Sequence, residues 1–173
     1  MRTGNENYPT INFQSIVDLA KDLSSKNYLL RKKAREELVE IGKPSLNTLI
    51  TLATSKDENV RWEAVITIVQ IGSMETLGIL IKALEDDEFS IRWIAAEGLA
   101  NLGIYAIVPL LRELRNNPDS TFLRRGVNHV LRELRKKGVF KDNYALLETL
   151  ANEFDHSNIQ LKVEKTINSI ELN

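Results

Sequence analysis

A dipeptide that recurs at almost constant intervals constrains the fold of this chain more than any other feature. An apolar residue followed by arginine occurs at Arg31, Arg61, Arg92 and Arg124. The intervals between these arginines are 30, 31 and 32 residues. Self-similarity at a period of roughly 20–50 residues is typical of solenoids, in which each repeat is one supersecondary unit. We therefore expect a repeat protein.

Each arginine belongs to a helical pattern of apolar residues. Apolar or small residues stand one position before it and three, seven and ten positions after it, as Ala34, Leu38 and Ile41 do in the first unit. These offsets trace one face of an α-helix. Eleven positions after the arginine stands a glycine in three units, which favours a helix end, and an arginine in the fourth. These residues are Gly42, Gly72, Gly103 and Arg135.

A second apolar segment with helical spacing follows each glycine, and a polar, mostly acidic turn follows that segment. The predicted unit is therefore a helix, a glycine turn, a second helix and an acidic turn. Neither helix can bury its apolar face alone, so the units must stack to form a continuous core. At the ends, residues 13–23 are predicted to form a lone closing helix. Residues 144–154 are predicted as the second helix of unit four, and residues 159–170 as the first helix of a fifth unit.

Residues 57–103, which read DENVRWEAVITIVQIGSMETLGILIKALEDDEFSIRWIAAEGLANLG, resemble the HEAT-repeat family, in the short form found in phycobilisome lyases. The resemblance extends over residues 27–138 and is weaker at both ends. It implies an all-α, right-handed superhelix of about four helix pairs with terminal capping helices, in which the first helices are convex and the second helices are concave. We expect residues 1–10 to be disordered or extended and residues 11–173 to form a single HEAT-like domain.

Composition excludes several classes of protein. The chain has no cysteine, which rules out disulfides, thiolate catalysis and cysteine-ligated zinc. It has no apolar run of membrane-spanning length and no signal-peptide pattern at its start, so we expect a cytoplasmic protein without membrane contact. Its formal net charge is -1, which argues against a dedicated nucleic-acid partner. The charge is nevertheless uneven, because residues 112–141 contain nine basic and three acidic residues.

Two tryptophans at the same repeat position predict an outward-facing apolar island. Trp62 and Trp93 each follow the repeated arginine, about 200° around the helix from the core-facing position. Ile66 and Val69 point in nearly the same direction. An exposed apolar patch with tryptophan anchors is typical of a partner or homodimer site. The alternative is that each ring lies flat over the adjacent helix as ordinary packing, and the sequence leaves both interpretations open.

Two further surfaces are candidates for binding. The concave face implied by the resemblance is the one that repeat proteins commonly use. A basic patch in the fourth unit could bind anions or an acidic partner, although a solvated helix end explains the same cations. We interpret the four repeated arginines as structural ties to acidic turn residues, such as Asp57, Asp87 or Asp119, rather than as an anion-binding ladder. The concave candidates are Glu75, Ile79, Lys82, Pro109 and Arg112, and the basic-patch candidates are Arg124, Arg125, Arg132, Arg135, Lys136 and Lys137.

No catalytic pattern is present. The two histidines, His129 and His156, form no His-Glu pair of the kind that HEAT-type iron hydroxylases use, and the predicted tryptophan placement and net charge do not fit HEAT-like DNA glycosylases. We predict no catalytic residue, metal site or cofactor. The expected function is a non-catalytic scaffold or adaptor that binds another protein. The alternatives are a subunit of a bilin or chromophore lyase, and weak nucleic-acid or anion binding through the basic fourth repeat.

Overall fold

The structure is a computed structural model that describes residues 13–152 and 158–172. The segment predicted to be disordered, residues 1–10, lies outside the described residues, as do His156 and part of the helix predicted over residues 144–154. Within the described ranges the chain is entirely helical. The helices are α1 (Phe13–Asp22), α2 (Tyr28–Ile41), α3 (Leu46–Leu52), α4 (Glu58–Ile71), α5 (Leu77–Ala83), α6 (Phe89–Asn101), α7 (Ile104–Asn116), α8 (Thr121–Lys136), α9 (Leu146–Ala151) and α10 (Ile159–Glu171).

Local sequence sets the ends of the first helices. The side chains of Asn27, Asp57 and Ser120 accept hydrogen bonds from backbone N–H groups in the first turns of α2, α4 and α8. These N-caps satisfy donors that have no partner inside the helix. At the other end of α4, Gly72 adopts the left-handed conformation with φ 66° and ψ 28°. A residue with a Cβ would be strained there, so the repeated glycine stops the helix as predicted.

The first helices α2, α4, α6 and α8 pack side by side in chain order and form one layer. The second helices α3, α5 and α7 pack against this layer. The core lies between these two layers, where Ala64, Leu99 and Val127 are fully buried. Leu30 holds the core-facing position of the first unit but is 37% exposed. The reason is that α1 packs on α2 and α3 in the manner of a second helix, so no first helix precedes α2 within the described residues.

Two glycines on first helices leave room for side chains of neighbouring helices. A Cβ atom added to Gly98 of α6 would lie 2.5 Å from a methyl carbon of Val69 on α4. A Cβ added to Gly126 of α8 would lie 2.9 Å from a methyl carbon of Leu84. Both distances are too short for non-bonded carbons, so a larger residue at either position would force the neighbouring side chain to move.

The C-terminal helices are arranged differently from the prediction. α10 packs against α7 and α9, whereas α9 packs against α8 and α10. α10 therefore occupies the place of the second helix of unit four, and it is not the first helix of a fifth unit. Arg112 and Arg115 of α7 hold it through ion pairs of 2.7 Å to Glu171 and 3.0 Å to Glu164. The short α9 covers the end of the solenoid beside α8.

No described helix is both long enough and apolar enough to cross a bilayer.

Candidate protein-binding surface

The two tryptophans at the same repeat position have different surroundings. Trp62 on α4 is partly buried and packs against the core. The guanidinium carbon of Arg35 lies 5.9 Å from the centre of its ring. Trp93 on α6 is 48% exposed. Of the two interpretations that the sequence left open, ordinary packing describes Trp62, whereas Trp93 presents its ring to solvent.

The other two members of the predicted island, Ile66 and Val69 on α4, do not form an exposed surface with Trp93 on α6. Val69 is wedged against the backbone of α6 at Gly98 and is partly buried against the core. Ile66 is also only partly exposed. The residues Trp62, Ile66 and Val69 therefore contribute mainly to the contact between neighbouring first helices.

The exposed aromatic surface instead lies between α6 and α8. Trp93 stands beside Phe89 on its own helix, with ring centres 6.2 Å apart. It also stands beside His129 on α8, with ring centres 4.6 Å apart. Phe89 and Phe122 are both exposed. We call this surface the aromatic groove. It encloses a cavity of about 220 Å³ and is lined by Phe89, Arg92, Trp93, Ala96, Phe122, Arg125, Gly126 and His129.

Polar contacts hold the walls of the aromatic groove in place. The guanidinium carbon of Arg92 lies 4.1 Å from the centre of the Phe122 ring, which is within cation–π range. Its Nη1 donates hydrogen bonds to the backbone carbonyls of Asp86 and Asp87 at 2.6 and 2.8 Å. On the opposite side, His129 Nε2 and Glu97 Oε1 are 2.7 Å apart. The rings are therefore fixed by bonds within α6, α8 and the turn that precedes α6.

The groove opens at this place because its floor residues are small. The same two repeat positions form the floor between each pair of neighbouring first helices. One lies four residues after the repeated arginine of the first unit, and the other lies two residues after the repeated arginine of the next unit. They are Arg35 and Glu63 between α2 and α4 (the first seam), Val65 and Ile94 between α4 and α6 (the second seam), and Ala96 and Gly126 between α6 and α8 (the third seam). An ion pair fills the first seam, and two large aliphatic residues stand at the second. The third seam has one methyl group, so the aromatic rings around it enclose a cavity.

The sequence prediction missed Phe89 and Phe122. Both residues lie in the first turn of their helices, before the repeated arginine and outside the matched offsets. A signal was present, because Phe89 and Trp93 are separated by four residues and so share one helix face. The small pair Ala96 and Gly126 was a second signal, but it appears only when floor positions from two different units are compared.

The repeated arginines are structural ties, and the partners of Arg31 and Arg61 differ in kind. Arg31 Nε donates to the buried carboxylate of Glu63 at 2.8 Å, and Arg35 donates to the same carboxylate. Arg61 binds both carboxylate oxygens of Asp86, at 2.7 and 3.0 Å. Arg31, Arg61 and Arg92 also donate to carbonyls of the preceding turn. The prediction of an acidic turn residue as partner holds for Arg61, which binds Asp86, and is wrong for Arg31, whose partner Glu63 lies within α4. Both arginines join neighbouring units, as predicted.

The Arg61–Asp86 pair shifts the pKa of both groups. Burial raises the pKa of Asp86 more than any single contact lowers it. The hydrogen bonds from Arg61 and from the backbone N–H of Glu88, together with the charges of Arg61 and Arg92, outweigh burial and hold that pKa below its ordinary value. In return, the hydrogen bonds to Asp86 raise the pKa of Arg61. The pair is therefore fully ionised at neutral pH and ties the second unit to the turn that precedes the third.

The predicted basic patch is not one surface. Arg124 is only 4% exposed and donates to the carbonyl of Asn152 at 2.8 Å, so it fastens the end of α9. Arg125 lines the aromatic groove. Lys137 donates to the carbonyl of Ala100 at the end of α6, at 3.2 Å. Three exposed cations remain together beside α9, and these are Arg132, Arg135 and Lys136.

The predicted concave residues are also divided. Arg112 is bound to Glu171 of α10, and Glu75 forms an ion pair of 3.0 Å with Lys43. Ile79 and Lys82 line a shallow depression beside α5, on the second-helix side. Pro109 lies within α7 and is partly buried. These five residues therefore do not form one binding surface. One of them is bound to α10, and none is an exposed aromatic residue.

The sequence and the fold were compared with those of known proteins. Residues 16–92 match the family model for HEAT repeats. This part of the chain consists of HEAT repeats, and the fold is a HEAT-like helical solenoid. Comparison with curated proteins finds no match. Among solved structures, the solenoid is similar to a chain in the complex of CpcE and CpcF of phycocyanin lyase from Nostoc sp. PCC7120. The TM-score is 0.60, the identity is 20%, and the match covers 90% of this chain and 99% of that chain. At this identity the likeness establishes the fold.

Proposed function

We propose that this HEAT-like solenoid is a non-catalytic adaptor that binds another protein through the aromatic groove. The observation that carries the proposal is the set of exposed rings on two adjacent first helices, Phe89, Trp93 and Phe122. Exposed aromatic side chains beside arginine are the residues that most often dominate protein interfaces. In this chain the rings are held in place by Arg92 and by the His129–Glu97 contact, so little order is lost on binding.

The size of the groove favours a protein ligand over a small molecule. Pockets that enclose drug-sized ligands have volumes of roughly 300–1,000 Å³. The cavity of about 220 Å³ in the aromatic groove is smaller and opens to solvent. It suits one inserted apolar side chain of a partner, with contacts to the rest of the partner around the rim.

The experiment is a comparison of partners captured by the full chain and by two variants. The groove variant is Trp93→Ser combined with Phe122→Ser, and the control is Tyr105→Ser, which removes an exposed ring at the start of α7, outside the groove. Affinity capture from the native cell with quantitative mass spectrometry should show partners that the groove variant loses and the control retains. An identical set of partners for all three proteins, with circular dichroism unchanged, contradicts the proposal.

Self-association is the second form of the same proposal. The partner bound at the groove is then a second copy of the chain, as in the homodimer that the sequence suggested. Light scattering coupled to size-exclusion chromatography separates the two forms. A dimer that becomes a monomer in the groove variant but not in Tyr105→Ser identifies the second copy as the partner.

The similarity to a chain of the CpcE–CpcF complex favours a second candidate function, a subunit of a chromophore lyase. That neighbour is found in a complex of two chains, which also supports a protein partner for this solenoid. The test is to mix the purified chain with a linear tetrapyrrole, alone and with any captured partner. A shifted or sharpened absorbance band supports the lyase role, and an unchanged spectrum in both mixtures contradicts it.

A further inference from the structure

The outer face of α8 continues beyond the aromatic groove as a row of cations. Residues 122, 126 and 129 line the groove, and residues 132 and 136 follow at helical spacing on the same face. Arg132 and Lys136 are exposed, and Arg135 stands beside them around a depression next to α9. The groove therefore leads, in the direction of the C-terminus of α8, onto a positively charged surface.

Carboxylates offset part of this charge, because Asp142 and Glu148 line the same depression beside α9. In the last two turns of α8 the one carboxylate is Glu133, which accepts a hydrogen bond from Lys136 at 2.6 Å. On the facing helix, Glu97 contacts His129. The opposite end of the groove has the other sign, because the turn that precedes α6 contains four consecutive acidic residues, residues 85–88. Within that turn Asp86 is already paired with Arg61, and the cations Arg92 and Arg125 line the groove itself. A ligand that lies along the groove therefore meets cations along most of its length.

We infer that the groove takes an acidic peptide segment of a protein partner, with one apolar side chain inserted between Trp93 and Phe122 and carboxylates directed toward Arg132 and Lys136. The inference rests on the proposed function, since it specifies the chemistry of the protein that binds there. Charge complementarity of this kind steers association and sets the orientation of the bound segment. A polynucleotide fits less well, because its uniformly negative backbone would also meet the acidic turn at residues 85–88.

The helix geometry sets the expected spacing within the peptide. Arg132 and Lys136 follow Gly126 by six and ten residues. At 1.5 Å per residue they stand roughly 9 and 15 Å along α8 from the floor of the groove. An extended peptide rises about 3.3 Å per residue. The carboxylates should therefore lie about three to five residues from the apolar anchor.

The experiment is a selection of random peptides displayed on phage against the full chain, followed by affinity measurements on the enriched peptides. The charge variant is Arg132→Glu with Lys136→Glu. The matched control is Lys33→Glu with Lys56→Glu, which makes the same change of charge at exposed positions in other units. Trp93→Ser and, separately, Phe122→Ser test whether the peptides occupy the groove, and circular dichroism checks that each variant is folded.

The expected result is a set of enriched peptides with an aromatic or aliphatic residue and acidic residues about three to five positions away. The charge variant should weaken their binding on the order of tenfold at low salt, with the control within about twofold. Peptides that depend on Trp93 and Phe122 but carry no excess of acidic residues overturn the inference and leave the proposed function standing. Peptides that bind independently of both rings, or no enrichment at all, overturn both.

A single-stranded oligonucleotide is the remaining comparison. Binding of such an oligonucleotide that is lost in the charge variant and in Trp93→Ser, without any acidic peptide being selected, would replace the inference with nucleic-acid recognition. Acidic peptides that are enriched while the oligonucleotide shows no binding at the same ionic strength support it.

Discussion

The first and third seams of the solenoid hold equivalent positions in the repeat but have opposite characters. In the first seam, Glu63 is 2% exposed and receives hydrogen bonds from Arg31 and Arg35, while Trp62 lies partly buried beside Arg35. In the third seam, the floor is Ala96 and Gly126, and the rings around it face solvent. The same backbone arrangement therefore gives a closed, ion-paired contact at one place and an open groove at the other.

The difference shows that a repeat position does not have a fixed environment. The residues that face this position from the neighbouring unit decide whether a tryptophan packs into the contact between helices or belongs to an exposed surface. Four predictions test this comparison, in order of decreasing expected effect on stability.

Removal of the central carboxylate should destabilise the first seam most. Glu63→Ala leaves Arg31 and Arg35 without their shared partner in a largely buried site. Removal of one partner of a buried pair is strongly destabilising, and because both arginines are partly exposed we expect about 2–3 kcal/mol of lost unfolding free energy. Urea denaturation followed by circular dichroism measures it. The double variant Arg35→Val with Glu63→Ile, which copies the second seam, should recover most of the loss. No recovery would mean that the ion pair is essential to this seam.

The two tryptophans should respond unequally to the same substitution. Trp62→Ser removes a side chain that packs on the core and should cost about 2 kcal/mol. Trp93→Ser removes a half-exposed ring and should cost less than about 1 kcal/mol. The midpoints of urea unfolding compare them directly. Equal losses would show that the seams do not differ in the way described.

The Arg61–Asp86 pair should make stability depend on pH. Asp86→Asn removes the charge that Arg61 binds and should cost about 1–2 kcal/mol at pH 7. The pKa of Asp86 is lowered on folding, so its stabilising contribution is complete above the ordinary carboxyl range near pH 4 and is lost as pH falls through the lowered value. The difference between wild type and variant should shrink in strong acid. A constant difference between pH 7 and pH 2 would contradict the assignment.

Filling the floor of the third seam should affect binding more than stability. Ala96→Val places a residue of the second-seam type beneath Trp93 and Phe122. Stability should change by less than about 1 kcal/mol, since the new methyl groups enter an existing cavity. Binding of any partner or peptide that inserts into the groove should fall by at least about tenfold, as measured by fluorescence anisotropy. Retained binding with the variant folded would place the partner elsewhere.

The repeat, the helix ends and the packing of units one to three could be predicted from the sequence. These features depend on the offsets from each arginine, on caps such as Asp57 and on stop residues such as Gly72, all of which act locally. The C-terminal arrangement could not be predicted in the same way. The apolar spacing of α10 marks an amphipathic helix but does not say which neighbours cover it, and here α7 and α9 do.

The binding surface was predicted only in part. Trp93 was identified from its outward direction, but the sequence could not separate it from Trp62, because the difference lies in Arg35 on the preceding helix. The groove also depends on Ala96 and Gly126, which belong to separate units and become neighbours only after the first helices have stacked. A property that arises between units is not visible in the pattern of any one unit.

The placement of α10 beside α7 also bears on the order in which the molecule assembles. Stacked repeats normally close through contacts that are short in sequence, which favours rapid folding. The second helix of unit four is reached only through α9, and its ion pair from Arg115 to Glu164 spans 49 residues. During synthesis, α7 must therefore wait for α10 to emerge from the ribosome before the face that α10 covers is buried. We expect the C-terminal unit to form last, and its amides to exchange with solvent sooner than those of α4 and α6.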